Sequence, residues 1–236
     1  MADFKGIIFD LDGTLVHSQV NFRKMKTKMI EALEDNGVPA NRLFPTMTTV
    51  MILRKAEELW EEQNIPEETR QKLRNKMEEY MNEGELEALK TIKPVPGVRE
   101  AIARLHDMGY KMGILTRGHH EYAMRALEKA GIAPYFEVVL GRGETPKPKP
   151  YPEALKFVAQ TLNLRVDEVL FVGDHHIDST CAFNANCSFI GVKTGNRGSE
   201  SWVEREPHVL IESVAELPEY LERNMDQPVT HFGTKG

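Results

Sequence analysis

Short apolar runs alternate with segments of helical period along most of the chain, and this pattern predicts a βα architecture. The segments between the later runs carry apolar residues at spacings of three and four, typical of helices that pack on a sheet. Strands that alternate with helices usually form a parallel sheet, so we expect a doubly wound α/β sheet. The predicted strands lie at 7–9, 112–115, 136–140, 169–172, 187–192 and 208–211.

One long segment, from about residue 21 to residue 90, interrupts this alternation with three predicted helices and no strand. The pattern places Phe22 and Val50 among the buried positions of the first two helices, and Pro66 opens the third. A crossover between two parallel strands needs only one helix, and this segment has three. We therefore expect a separate helical subdomain rather than helices that cover one face of the sheet. The predicted boundaries are 1–16 and 93–225 for an α/β core, 17–92 for the helical subdomain and 226–236 for a polar tail.

Composition and charge narrow the class of protein. The 236 residues are 41% hydrophobic and 28% charged, which suits a globular protein with a real core. A net charge of −6 and the lack of a basic block argue against nucleic acid as a main partner. Two cysteines suit a reducing compartment, and neither a signal peptide nor a membrane-spanning run is evident. We therefore expect a cytoplasmic protein without a membrane partner.

The first predicted strand delivers two carboxylates to a turn, Asp10 and Asp12, followed by Gly13 and Thr14. Residues two apart leave an extended chain on the same side, so both carboxylates are expected to face one small site. Such a pair favours a divalent cation between the charges, and one carboxylate can also act as a nucleophile. An acidic turn that caps a helix through Asp12 or Thr14 is the alternative.

Another buried strand, 169–172, leads to Asp174 and, four residues later, Asp178. In a parallel sheet, ligands gather at the carboxyl ends of the strands, so Asp174 is expected to approach Asp10 and Asp12. The three carboxylates predict a site for Mg2+. The neighbouring His175 and His176 are poor zinc candidates, because the surrounding acids favour a hard cation.

Two further segments carry groups suited to binding phosphate. The strand at 112–115 ends at Thr116, whose hydroxyl lies beside a glycine-bearing turn. Arg117 follows it, and its guanidinium either contacts substrate or points to solvent. The prolines of Lys147-Pro148-Lys149-Pro150 stiffen a loop and hold a lysine that would neutralise a carboxylate and a bound phosphate. Either lysine fits this role. The alternative is that both are surface lysines without a role in binding.

The run Asp-Leu-Asp-Gly-Thr-Leu at 10–15 resembles the first signature of the haloacid dehalogenase superfamily, specifically its phosphatases, with phosphoglycolate phosphatase-like enzymes nearest. The dehalogenases lack the second aspartate, so Asp12 indicates phosphoryl chemistry. Thr116, the lysine-proline loop and Gly-Asp at 173–174 resemble the other three signatures in order and spacing. The resemblance implies that the inserted helices form a cap over the active site. Arg117 and His175 depart from the small polar residues usual in the family.

The resemblance also implies a role for each motif residue. Asp10 would attack phosphorus to form an aspartyl-phosphate, and Asp12 would protonate the leaving group and then activate water. Mg2+ would be held by Asp10, the Asp12 backbone carbonyl and Asp174. Thr116 and Lys149 would grip the phosphoryl group, with Lys149 favoured over Lys147 by its distance along the sequence from Asp174. Asp178 would orient the lysine or a metal-bound water. The alternative is that its charge stabilises the N-terminus of the following helix.

These features together predict a Mg2+-dependent phosphatase that hydrolyses a small phosphorylated metabolite. A phosphomutase, an inorganic pyrophosphatase and a non-catalytic phosphate-binding protein are the alternatives. The sequence leaves open the substrate, the choice between monomer and homodimer, and the cap residues that select substrate. Arg54, Glu57 and Trp60 are candidates for that selection, although helix surface or cap core explains each as well.

Overall fold

The computed structural model describes residues 4–195, 198–202 and 205–224. The chain divides into two compact units, one made of Met1–Ser18 with Thr91–Gly236 and the other of Gln19–Lys90. The first unit holds the sheet, and the second is helical. The predicted polar tail, 226–236, lies outside the described residues.

The larger unit is built on a six-stranded parallel sheet in the order β5-β4-β1-β6-β7-β8. The predicted doubly wound α/β fold is thereby confirmed. Strand β1 lies at the centre, where Phe9 pairs in register with Ile114 on one side and Val172 on the other. The strands are β1 (Gly6–Phe9), β2 (Val16–His17), β3 (Lys93–Pro94), β4 (Lys111–Leu115), β5 (Val138–Leu140), β6 (Val169–Gly173), β7 (Ser188–Val192) and β8 (Val209–Ile211).

Helices cover the sheet and form the smaller unit. Side chains fix several of their starts: the Thr48 hydroxyl accepts from the Met51 N–H, and Pro152 occupies the first turn of its helix. The helices are α1 (Phe22–Glu34), α2 (Thr49–Glu62), α3 (Glu67–Ala88), α4 (Val98–Asp107), α5 (His120–Ala130), α6 (Pro152–Thr161), α7 (His176–Ala185) and α8 (Leu217–Asn224). Within the part of the chain that the structure describes, no helix combines the length and apolar composition needed to cross a membrane.

The central strands are buried on both faces. All four residues of β1 and all five of β6 are buried, as expected for parallel strands enclosed by helices. Phe171 of β6 packs edge to face on Phe189 of β7, with ring centroids 5.6 Å apart. This packing fixes the register of neighbouring strands, and so it fixes which residues emerge together at their carboxyl ends.

The helical unit has a core of its own, in which Met29, Ile52 and Trp60 are fully buried. The prediction that Phe22 and Val50 lie on the buried stripes is wrong, because their exposed fractions are 52% and 54%. Both residues lie in the first turn of their helices, and the buried residues begin at Met25 in α1 and at Ile52 in α2.

The three candidate specificity residues have different surroundings in this unit. Trp60 is completely buried in the helical core, so it is a packing residue. Glu57 accepts two hydrogen bonds from the Arg74 guanidinium, at 2.6 and 2.9 Å. Arg54 is exposed and pairs with Glu58 one turn away. The idea that Arg54 or Glu57 selects substrate stays a prediction.

A short antiparallel pair in the larger unit was not predicted. Val16 pairs with Pro94, and His17 pairs with Lys93, so β2 and β3 lie together where the chain leaves and re-enters the larger unit. Two-residue strands carry no alternating pattern that a sequence can reveal.

Candidate active site

Three strand ends bring their next residues to one edge of the sheet. Asp10 follows β1, Thr116 follows β4 and Asp174 follows β6, and these three strands are adjacent. Each of the three side chains is buried. The backbone holds them in place, since the N–H of Asp10 donates to Val172 and the N–H of Thr116 donates to Leu140. The central position of β1 therefore gathers the motif residues, as the parallel topology requires.

A buried lysine lies between two of the acids. The ammonium Nζ of Lys149 is 2.6 Å from Oδ1 of Asp10 and 2.7 Å from Oδ1 of Asp178, and the lysine side chain is 2% exposed. Lys147 is instead exposed and forms an ion pair with Glu153 at 2.7 Å. Of the two lysines that fit the motif, the structure places Lys149 in the site and Lys147 outside it.

Asp178 makes two contacts at once. Its Oδ1 accepts from Lys149, and its Oδ2 accepts from the backbone N–H of His175 at 3.2 Å, at the start of α7. His175 itself caps this helix, since its ring Nδ1 accepts from the Ile177 N–H. The two interpretations left open for Asp178, a helix-terminal charge and a contact to the lysine, are therefore both present.

The acidic cluster differs in one member from the predicted one. Oxygens of Asp10, Asp174 and Asp178 lie within 4.8 Å of one another. The carboxylate of Asp12 accepts a hydrogen bond from Tyr122. That it faces the same site as Asp10, and that its backbone carbonyl holds Mg2+, stay predictions. The expectation assumed an extended chain, whereas β1 ends at Phe9 and the chain turns so that Asp12 bridges Val16. Alternation by two does not apply inside such a turn.

The cluster suits a divalent cation. Three ionised carboxylates with one ammonium leave two negative charges in a buried space, and the ligand atoms are all oxygens, as Mg2+ prefers. Gly13 adopts a left-handed φ of +87°, and a Cβ atom there would lie 2.5 Å from Oδ2 of Asp174. The glycine therefore leaves the approach to Asp174 unobstructed, and Asp10 and Asp174 are the residues that fit the cation.

Burial shifts the pKa values of the cluster. Desolvation raises the pKa of Asp10 to about 6, with the nearby Lys149 opposing the shift. Desolvation also raises the pKa of Asp174 to about 8, and the charges of Asp10 and Asp178 add to this shift. For Lys149, desolvation opposes the charged form, but the two flanking carboxylates outweigh it and raise its pKa. The cluster therefore holds too little positive charge to stabilise the ionised forms of all its carboxylates.

Two residues of the site were missed or misread in the sequence. The hydroxyl of Thr14 lies 3.3 Å from Oδ1 of Asp174 and 3.5 Å from Oδ2 of Asp10, although the sequence suggested only a helix cap for it. Tyr122 donates to Oδ1 of Asp12 at 2.5 Å. In the sequence Tyr122 is one more apolar position on the buried face of α5, so no signal distinguished it from a core aromatic.

The turn after β4 shows how Thr116 is presented. The Gly118 N–H donates to the Thr116 hydroxyl at 3.1 Å, and the Arg117 carbonyl accepts from the Arg142 side chain at 3.2 Å. The Arg117 side chain is half-buried, and its contact with substrate stays a prediction. His119 caps α5 through its ring nitrogen, as expected for a histidine at a helix start.

A model of the haloacid dehalogenase-like hydrolase family matches residues 7–192, from β1 to the end of β7. The chain belongs to this family. The match spans all four motifs, so the relationship predicted from them is confirmed, and the chain is an enzyme of the hydrolase class.

Three similar proteins each match this chain along most of its length. A phosphoglycolate phosphatase of Vibrio parahaemolyticus is 28% identical over 218 residues, covering 92% of this chain and 96% of that protein. The pyrophosphatase PpaX of Listeria innocua is 25% identical and covers 89% of this chain and 93% of its own length. A crystal structure of a predicted phosphoglycolate phosphatase from Haemophilus somnus superposes with a TM-score of 0.63 at 23% identity, covering 92% of this chain and 98% of that one. This last likeness shows the fold.

Proposed function

We propose that the chain is a Mg2+-dependent phosphatase that hydrolyses a small phosphomonoester through an aspartyl-phosphate on Asp10. The observation that carries this proposal is the Lys149 ammonium, held between Asp10, which follows β1, and Asp178, which lies in the first turn of α7. A cation fixed against a nucleophilic carboxylate neutralises the charge that develops on a transferring phosphoryl group. The similarity to phosphoglycolate phosphatases along nearly the whole chain supports the same reaction class.

The proposed first step uses Asp10 as nucleophile. Its carboxylate attacks phosphorus while the bond from phosphorus to the ester oxygen breaks, and Asp12 gives a proton to the departing oxygen. Lys149 and the Thr116 hydroxyl bind the phosphoryl oxygens. Mg2+, when bound by Asp10 and Asp174, would supply positive charge that offsets both the carboxylates and the phosphoryl group.

The second step returns the enzyme to its starting state. Asp12, now ionised, takes a proton from water as the water oxygen attacks phosphorus, and the bond to Asp10 breaks to release inorganic phosphate. Asp178 acts on Lys149 throughout, because its carboxylate accepts a second hydrogen bond from the ammonium that contacts Asp10. The helical unit Gln19–Lys90 would act as the cap that selects the substrate.

A panel of phosphate compounds tests this function: phosphoglycolate, sugar phosphates, nucleotides, pyrophosphate and p-nitrophenyl phosphate, each with Mg2+ and with chelator. We expect phosphate release that requires Mg2+ and is fastest with a small monoester. Preference for pyrophosphate would favour an inorganic pyrophosphatase, the activity named for one similar protein. Sugar-phosphate isomerisation with a bisphosphate primer would favour a mutase, and binding without turnover a non-catalytic protein.

Mg2+ is expected to stabilise the fold more strongly as pH rises. The pKa of Asp174 is about 8 in the folded protein and near 3.8 in the unfolded chain, so the unfolded state binds fewer protons between these values. Without metal, the contribution of Asp174 to stability is therefore fully present below about pH 4 and is lost as pH rises through about 8. Saturating Mg2+ should raise Tm by roughly 5–10 °C at pH 8 and by much less at pH 5.

Thermal unfolding with Mg2+ and with chelator, from about pH 5 to pH 8, measures this effect. The Asp174→Asn variant is the matched control, since it keeps the side-chain shape and removes the titrating charge. Its metal-free Tm should vary less with pH. A Mg2+-induced shift in the wild type that is the same at both ends of the range would contradict the assignment.

A further inference from the structure

Tyr122 is a fully buried aromatic residue whose hydroxyl contacts the site. It lies in the first turn of α5, none of its surface is exposed, and it donates a hydrogen bond to Oδ1 of Asp12 at 2.5 Å. Asp12 itself is half-buried in the turn that follows β1. The contact joins two segments 110 residues apart in the sequence, which follow the adjacent strands β1 and β4.

We propose that Tyr122 is a positioning residue that fixes the carboxyl group of Asp12 for proton transfer to the leaving group. This inference rests on the proposed phosphatase function, in which Asp12 exchanges the proton. Tyr122 acts through Asp12 and does not itself touch the reacting atoms.

The hydroxyl is not needed to fill the core. A phenylalanine would occupy the same buried space, and burying a hydroxyl costs free energy unless it finds a hydrogen-bond partner. The partner here is a carboxylate, and hydrogen bonds to an ionised acceptor are shorter and stronger than those between neutral groups. The phenol therefore adds to packing a directed contact with the one motif carboxylate that lies outside the acidic cluster.

The ring of Tyr122 is itself held by the phosphate-binding turn. A Cβ atom on Gly118 would lie 3.0 Å from Cδ1 of this ring, so the ring packs directly against the turn. The same Gly118 donates its N–H to the hydroxyl of Thr116. The Gly118 turn thus contacts both Thr116, which would bind the phosphoryl group, and the ring of Tyr122, whose hydroxyl orients Asp12. It therefore helps to fix the position of the phosphoryl-binding hydroxyl relative to the proton donor.

The hydrogen bond also determines which oxygen carries the proton. With Oδ1 accepting from the phenol, a protonated Asp12 carries its hydrogen on Oδ2. In the first step the bond from Oδ2 to hydrogen breaks, and the proton bonds to the ester oxygen as the bond from phosphorus to that oxygen breaks, so the leaving group departs as an alcohol. In the second step Oδ2 takes a proton from the attacking water, which restores the starting state.

If Asp12 loses this orientation, the effect on the rate of the first step should depend on the leaving group of the ester. An alkoxide is a poor leaving group that needs a proton as it departs, whereas p-nitrophenolate is stable as an anion and leaves without one. Tyr122→Phe should therefore slow the first step with alkyl phosphates selectively. A role in packing alone would slow both kinds of ester equally.

The experiment measures single-turnover release of the alcohol from an alkyl phosphate and of p-nitrophenol from p-nitrophenyl phosphate, with Mg2+. For Tyr122→Phe we expect about a tenfold slower release from the alkyl ester and an unchanged p-nitrophenol burst. Tyr135→Phe is the matched control, since its ring packs on His106. It should change neither rate.

Two further variants keep the test decisive. In the Asp12→Asn background, Tyr122→Phe should cause no additional loss, because the proton that the phenol positions is gone. Gly118→Ala leaves the phenol hydroxyl present but crowds the ring, and its added Cβ would lie 3.5 Å from the Thr116 hydroxyl. Even where the phenylalanine variant is too unstable to purify, this variant should slow the alkyl ester more than p-nitrophenyl phosphate, and any loss common to both esters reports the disturbed Thr116 contact. Equal losses on both esters, or no loss from Tyr122→Phe, would overturn the positioning role while leaving the phosphatase function standing. A folded wild type that releases no phosphate from any ester would overturn both.

Discussion

The Asp10→Asn variant is expected to lose turnover of phosphate esters, by about four orders of magnitude or more, while keeping its fold. An amide oxygen is a far weaker nucleophile than a carboxylate, and no acyl-phosphate can form on it. The fold should persist because asparagine has the same shape and its oxygen still accepts from Lys149. Removing one charge also relieves Asp174, whose pKa is raised in part by the charge of Asp10.

Steady-state rates on the preferred ester measure this loss, and circular dichroism with thermal unfolding checks the fold. Mass spectrometry of acid-quenched enzyme should find a phosphoryl group on the peptide that contains Asp10 in the wild type and not in the variant. Asp167→Asn is the matched control, because Asp167 is exposed and pairs with Arg165. A folded Asp10→Asn enzyme with near-normal turnover would overturn the nucleophile assignment.

Replacing Lys149 with methionine is expected to lower kcat by about 10²–10³-fold and to destabilise the protein by about 3 kcal/mol or more. The catalytic loss follows from removing a fixed positive charge beside the transferring phosphoryl group. The loss of stability follows because Asp10 and Asp178 would remain buried without their cationic partner. Methionine fills a similar volume, so lost charge rather than a cavity dominates the effect.

Lys147→Met is the matched control for this prediction. Lys147 lies two residues away in the same loop, but it is exposed, pairs with Glu153 and lies over the ring of the exposed Tyr151. Exposed ion pairs contribute about 0–1 kcal/mol, so stability and kcat should hardly change. Urea unfolding and initial rates on both variants separate the two lysines. Loss of activity in Lys147→Met with an active Lys149→Met would reverse their assignment.

Much of the fold could be predicted from the order of apolar runs. Strands such as β1 and β6 are short, continuous and apolar because both of their faces are buried, and this property is local to each segment. Parallel topology then requires that residues after these strands meet at one edge, and this predicted that Asp174 approaches Asp10, whereas the place of Thr116 followed from the family resemblance. Their catalytic roles stay predictions.

Errors arose where neighbours in space decide the outcome. Phe22 and Val50 fit the apolar period of their helices, but both are exposed in the folded molecule. The argument that Asp10 and Asp12 share a face assumed an extended chain, yet the chain turns after Phe9, and the Tyr122 hydroxyl contacts the Asp12 carboxylate. Periodicity describes one segment at a time, so it carries no information about such partners.

The sequence by itself determined the α/β fold, the helical insertion and the residues that emerge at the strand ends, because each follows from local pattern and chain topology. The spacing typical of the resembled family already favoured Lys149 over Lys147, but only the tertiary structure decided that Lys149 is buried between two carboxylates, that Asp178 completes the acidic cluster and that Tyr122 contacts Asp12. These outcomes depend on contacts between residues that are distant in the chain. Burial and hydrogen bonding assign the partners there, and both are properties of the folded molecule.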